Sequence, residues 1–370
     1  MTGAVTSESA ARPRNSSRKR LFAVMGFTLS MLILLLFGEV VARLMGYRPF
    51  HAVPGNVTVE PGGKLYRPLS EGGYVHYGGE FTVTLPTGYQ FHLSHDADGL
   101  RSTRRGDAIA TNQPGLWIMG CSITHGWSVN DGESYPWLVQ SALTNHAVLN
   151  GGVSGYGTLH SRLLFQELLK KKSKPKTVVY AYGLFHDHRN TFVRIWQKGL
   201  VPYNKLPLLT YPRARWNGTV ELNYDVVPVA YNEWLLQRQS ALVHFAEQQY
   251  NIREAGRERI QEVSRELVKN WAAFCLREGI EFIVAGISSD ATPLLDWCRT
   301  AGISAVDISV PLSEPGNTNA PHDGHPSAKA HRVYAVKLIE FLNSRRHPAD
   351  ALIVPSLIRA RAVDANPGRE

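Results

Sequence analysis

Cysteine is scarce in this 370-residue chain: Cys121, Cys275 and Cys298 are the whole supply. Three thiols cannot build a disulfide-stapled scaffold. Without a CxxC pair the chain offers neither a zinc ribbon nor a dithiol redox centre. A single Cys275–Cys298 bridge is left open. HExxH and comparable helical ligand spacings are missing as well, and there are no internal repeats. The formal charge is +9, yet no basic stripe interleaves with aromatic residues, so no nucleic-acid partner is expected. Charged residues make up 19% against 44% hydrophobic, a balance that suits a globular fold with a sizeable core.

One long apolar run is present. Leu21 to Gly38 is 18 residues without a charge, about the length needed to cross a hydrocarbon core. Glu39 and Arg43 follow where that core should end. A cleaved signal peptide would have a shorter apolar core and a small-x-small site after it, and Gly38-Glu39-Val40-Val41-Ala42-Arg43 supplies none. The expectation is an uncleaved anchor at 21–43. Arg12, Arg14, Arg18, Lys19 and Arg20 precede the run, whereas only Arg43 and Arg48 follow closely. The positive-inside rule places a basic tail, 1–20, in the cytoplasm. In a bacterial cell this is a single-pass inner-membrane protein with its main domain in the periplasm.

Beyond the anchor the texture changes twice. Residues 44–112 are rich in Gly and Pro, with alternating runs such as Phe81-Thr82-Val83-Thr84-Leu85, which predicts a small β-rich extension. From 113 to 345, strands alternate with helices. The strands are Leu116–Met119, Val148–Leu149, Thr177–Tyr182, Phe282–Ala285 and Ile303–Ile308. The helices are Ser134–Thr144, Thr158–Lys171, Ile260–Phe274, Thr292–Thr300 and Ala328–Leu342. Ser134 and Ser327 are the expected N-caps. This rhythm predicts an α/β fold, a three-layer α/β/α sandwich on a mainly parallel sheet. Residues 191–250, full of aromatics and prolines and without a clear period, form an insertion near the mouth of the site. The stretch 346–370 is a C-terminal tail.

Open α/β sheets bind ligands at the carboxyl ends of their strands, and three strand ends carry suggestive residues. Met119-Gly120-Cys121-Ser122-Ile123-Thr124-His125-Gly126 places a serine just past a buried strand. Leu149-Asn150-Gly151-Gly152-Val153-Ser154-Gly155-Tyr156-Gly157 offers glycines whose backbone N–H groups can approach a ligand. Pro321-His322-Asp323-Gly324-His325-Pro326-Ser327 precedes the last helix and holds a base beside a carboxylate. Each segment alone reads equally well as a loop or turn.

Taken in order, the three resemble the SGNH/GDSL hydrolase family, and specifically its membrane-anchored bacterial branch. The resemblance runs from about Asp98 to Leu342. Asp98-Gly99-Leu100-Arg101 and Asn130-Asp131-Gly132-Glu133-Ser134-Tyr135-Pro136 are also similar to that branch. It implies a catalytic set of Ser122 as nucleophile, His325 as base and Asp323 as its orienter. It further implies Gly152 as an oxyanion donor, with His186 or Asn190 in place of the family's usual Asn. Cys121 stands where the family's Asp is usual. The third block reads Gly183-Leu184-Phe185-His186-Asp187-His188-Arg189-Asn190, not Gly-x-Asn-Asp. Asp323 precedes His325 by two residues, not three; the residue three before is His322.

The expected activity is that of a serine esterase on acyl esters of an extracytoplasmic glycan, with no cofactor. The alternatives are an O-acyltransferase of envelope polysaccharide or a non-catalytic glycan-binding member. Envelope polysaccharide assembly proteins are the expected partners. His186, Asp187, His188, His322, Asp323 and His325 are of metal-binding types, but no ligand spacing unites them, so no metal is expected.

Overall fold

The structure is a computed structural model and describes residues 16–52, 57–69, 73–104, 113–200, 210–216 and 223–345. The tail at 346–370 and most of the basic segment at 1–20 lie outside the described residues. The chain divides into two compact units: residues 1–52 with 232–250, and residues 53–231 with 251–370.

In chain order, helix α1 (Ser16–Leu44) is followed by five short strands, β1 (Thr58–Glu60), β2 (Tyr66–Pro68), β3 (Tyr74–His76), β4 (Gly79–Thr84) and β5 (Gln90–His95). The alternating region begins with β6 (Gly115–Gly120), α2 (Ser122–His125), α3 (Tyr135–Ala142), β7 (Ala147–Gly152), α4 (Thr158–Leu169) and β8 (Thr177–Tyr182). Next come α5 (Phe185–Asn190), α6 (Arg194–Leu200), β9 (Thr210–Ala214), β10 (Tyr224–Pro228) and α7 (Ala241–Arg257). The chain closes with α8 (Ile260–Arg277), β11 (Glu281–Gly286), α9 (Thr292–Thr300), β12 (Ser304–Asp307) and α10 (Ala328–Ser344).

In the first unit, α1 is 29 residues long, about 43 Å at 1.5 Å per residue. Its stretch Arg18–Leu44 is long and apolar enough to cross a membrane, and its apolar side chains are largely exposed.

The second unit is built on a five-stranded sheet of order β12-β11-β8-β6-β7, parallel throughout. Side chains alternate across a strand, and the sequence uses both faces. Leu116, Ile118, Val148, Val179, Ala181, Ile283 and Ala285 pack on one side with Val139 of α3 and Tyr334 and Leu338 of α10. Trp117, Met119, Leu149, Val178, Tyr180 and Val284 pack on the other with Phe165 of α4, Trp271 of α8 and Leu295 of α9. Helices on both faces explain why these strands read as continuous apolar runs. The expected α/β/α sandwich is present. Trp271 is fully buried; removing such a ring costs about 3–5 kcal/mol.

The early strands are not a separate module. β1, β4 and β5 form an antiparallel sheet. After β5 the backbone of Arg101 bridges both to His95 and to Asn150 in edge strand β7, which joins this sheet to the parallel one.

Some local expectations change. Ser327 caps α10 through its hydroxyl, which accepts from the Ala330 N–H. Ser134 stands at the N-cap of α3, but its hydroxyl donates to Asp131 O instead. Helix α7 runs through 250, where no period was expected. Cys275 and Cys298 are free thiols buried in the same core cluster, not a bridge; burial pushes both up to about 12.

Candidate active site

Ser122 is the first residue of α2, two positions beyond the end of β6. Cys121 takes an extended backbone as N-cap, and Gly126 closes the turn at φ 83°, a left-handed conformation that favours glycine. The helix is fixed from several directions. Asn150 Nδ2 donates to Thr124 O at 3.1 Å, and Thr124 Oγ1 lies 2.9 Å from Tyr135 Oη. A Cβ on Gly152 would fall 2.2 Å from His125 N, so glycine is what lets β7 approach α2 this closely.

Arg101 performs the largest share of this fixing. Its buried guanidinium donates to His125 O at 3.0 Å, to Gly126 O and to Val129 O at 2.7 Å, and pairs with Asp131 at 2.9 Å. One side chain therefore gathers three carbonyls from the loop behind the serine. Burial lowers the Arg101 pKa, and the Asp131 carboxylate acts against that fall.

The loop that carries Asp323 and His325 comes from the other end of the chain. Asn319 Nδ2 donates to Ser128 O at 2.8 Å, and Asn319 O accepts from the N–H groups of His322 and Asp323. This brings His325 to the serine: Ser122 Oγ lies 2.9 Å from His325 Nε2. His325 Nδ1 lies 2.8 Å from Asp323 Oδ1, which also accepts from the His325 backbone N–H. Two-residue spacing suffices because one carboxylate oxygen serves both the ring and the backbone. Burial tends to raise the Asp323 pKa, but the hydrogen bond and charge of His325 outweigh it and hold the carboxyl below its ordinary range. His322 stacks on Tyr89 and bonds to Thr87.

The expected oxyanion donors are not aligned in this way. The Gly152 N–H is taken by Asn150 Oδ1 at 3.0 Å. Asn190 Nδ2 donates to Thr158 Oγ1 at 2.9 Å and Ser264 Oγ at 2.8 Å, while its carbonyl accepts from Leu159 N. His186 is fully buried, with Nδ1 at 2.9 Å from Tyr180 Oη and its ring against Phe185 and Tyr182. Burial, with help from Arg189, drives its pKa well down. The Gly152 N–H and the Asn190 amide are thus engaged elsewhere, whereas His186 Nε2 is buried without a hydrogen-bond partner among the described residues. The Ser122 N–H opens α2, so no carbonyl within that helix takes it. Gly155, at φ +84°, sits in a loop pinned by Tyr74, Tyr211 and Arg189.

His76, His95 and His125 bring three ring nitrogens within 4.8 Å of one another. His95 and His125 bond directly, Nε2 to Nε2, at 2.9 Å, and His76 stacks on both rings. Burial, with the neighbouring Arg101 charge, lowers all three pKa values, His76 to about 3. A cation placed there would add charge beside a buried guanidinium, which is costly without an anion. The trio reads as a stacked neutral network behind α2.

No family model matches the chain, and no curated protein does. Solved structures are similar over part of it. A member of the lipolytic protein G-D-S-L family from Veillonella parvula DSM 2008 is 11% identical over 63% of this chain and 99% of its own, with a TM-score of 0.37. A GDSL-like lipase from Bacteroides thetaiotaomicron VPI-5482 is 13% identical over 66% and 95%, again at 0.37. AlinE4, an SGNH-hydrolase family esterase, is 14% identical over 70% and 100%, at 0.31. At these values the functional reading rests on the site itself.

The sequence had pointed to Ser122, Asp323 and His325, and the structure brings those three together. It had not singled out Asn150, Arg101 or Asn319. Asn150 and Arg101 stood inside motifs already noted, but nothing in their spacing showed what they hold.

Proposed function

We propose that the chain is a membrane-anchored serine esterase acting through an acyl-enzyme on Ser122. The observation that carries this is the continuous hydrogen-bonded series Ser122 Oγ, His325 Nε2, His325 Nδ1 and Asp323 Oδ1. In this reading His325 accepts the hydroxyl proton as Oγ attacks the ester carbonyl carbon. Asp323 holds the tautomer that leaves Nε2 free and stabilises the imidazolium that forms. In this reading the Ser122 N–H, at the start of α2, donates to the charge developing on the carbonyl oxygen. The tetrahedral species collapses by expelling the alcohol, which takes the proton from His325. Water, activated by His325, then releases the acid and restores the serine.

Helix α1 supplies the anchor, with the N-terminus cytoplasmic and the hydrolase extracytoplasmic. A tethered enzyme of this kind meets envelope polymers, and an acylated glycan is the substrate class that fits. Transfer of the acyl group to a sugar hydroxyl would use the same acyl-enzyme. The test is hydrolysis of p-nitrophenyl acetate by the detergent-solubilised full chain, together with labelling by a fluorophosphonate probe. Turnover and labelling that both disappear in Ser122→Ala support the reading. A wild-type protein that neither turns over nor labels overturns it.

A further inference from the structure

The segment between Trp234 and Phe245 is fastened to the C-terminal end of α1. Glu39 accepts from Ser240 Oγ at 2.7 Å and from the N–H groups of Ala241 and Leu242 at 3.0 and 2.9 Å. Arg43 donates to Gln239 O, Phe50 N to Gln237 O, and the His244 ring bonds to Arg48 O. Tyr47 meets Phe245 edge-on at 4.8 Å. A carboxylate in the last turns of an apolar helix is thereby provided with partners, and the start of α7 is fixed at that level.

Two leucines in this segment face outward. Leu235 is 87% and Leu236 56% exposed. Leu236 also holds a left-handed backbone at φ 64°, uncommon for a bulky residue; its carbonyl accepts from the Gln239 and Ser240 N–H groups. That ties it within one turn of Ser240, and so of Glu39. Glu39 is one residue beyond the apolar run. Helical rise puts the leucines within roughly 10 Å of the hydrocarbon boundary. The headgroup layer is itself about 5–8 Å deep on each side. Val40 and Leu44 on α1, and Met45 just after it, are exposed as well, continuing an apolar surface, and Trp234 adds the kind of ring that favours such interfaces.

We propose that Leu235 and Leu236 enter the lipid interface beside α1, giving the protein a second membrane contact. This rests on the reading of α1 as a membrane span. The occupant is the bilayer, because the patch continues the apolar surface of the helix to which it is fastened.

The experiment uses the full chain in phosphatidylcholine–phosphatidylglycerol nanodiscs, with single nitroxide labels at Leu32→Cys, Leu235→Cys, Leu236→Cys and Asp296→Cys. The native cysteines are buried, and the parent protein is checked for the absence of label. Collision with oxygen reports lipid, and collision with a water-soluble nickel chelate reports water. The expected result is an oxygen-to-nickel ratio at 235 and 236 well above that at 296 and below that at 32. Labels at 235 and 236 that match 296 while 32 lies in lipid overturn the proposal alone. Labels shielded from both reagents also overturn it and point to a second copy on the patch. A water-exposed label at 32 overturns the anchor reading, and the proposal with it.

Discussion

The ends of β6 and β8 are adjacent in the sheet and equally polar, yet they behave oppositely. At the end of β6, Ser122 points its hydroxyl to a histidine from a distant loop, and that histidine has a carboxylate behind it. At the end of β8, Asn190 bonds to Thr158, Ser264 and Leu159, and His186 lies among Tyr180, Tyr182 and Phe185. One polar set is aligned in series toward the Ser122 hydroxyl; in the other the Asn190 amide is bonded within the fold, and His186 keeps a buried Nε2 without a partner among the described residues. Polarity at a strand end marks a place for chemistry only where the hydrogen-bonding capacity is left directed at something.

Removing the nucleophile separates the two ends most sharply. Ser122→Ala should lower kcat by roughly 10⁴- to 10⁶-fold with an unchanged thermal midpoint; near-normal turnover would put the nucleophile elsewhere. Asp323→Asn should cost about 10²- to 10⁴-fold in kcat with little change in KM, measured on the same ester. Arg101→Met removes one partner of a largely buried pair and frees four carbonyls, so stability should fall by about 3–5 kcal/mol in urea titrations. A loss below 1 kcal/mol would show that the loop behind the serine holds itself.

The β8 end should answer in stability, not rate. Asn190→Ala leaves buried partners unsatisfied and should cost about 1–3 kcal/mol, while kcat per folded molecule stays near wild type. A crippled kcat at unchanged stability would break the contrast. The smallest effect concerns Asp187. Burial raises its carboxyl to about 6, against the opposing hydrogen bonds of Ser264 and Tyr182. Between its ordinary value and about 6 the folded state holds a proton that the unfolded state has lost. Stability is therefore fullest below about pH 4 and declines as pH rises through 6. Relative to Asp187→Asn, the wild type should lose on the order of 1–3 kcal/mol across that window.

The parallel strands were legible because burial on both faces leaves an unbroken apolar run, as in Thr177–Tyr182. The last helix was legible from its cap, Ser327. Helix α7 was not: its apolar positions are diluted by Gln248, Gln249, Asn251 and Arg253, so no period stands out. The hydroxyl, ring and carboxylate could be picked out as candidates because their chemistry is scarce and their order informative. The oxyanion donors could not. Every residue except proline carries an N–H, and which one is free depends on partners such as Asn150 that sit in a different strand pairing.

Arg101 has a bearing on how the molecule comes apart. It is contributed by the segment before β6, yet its guanidinium completes the loop that follows the serine. A fragment starting at residue 113 would carry the nucleophile, the base and the whole parallel sheet, and still lack the cation its loop was folded around. The early strands thus act as an intramolecular ligand, tethered at very high effective concentration. Heating or urea should melt them and the parallel-sheet core in one cooperative step.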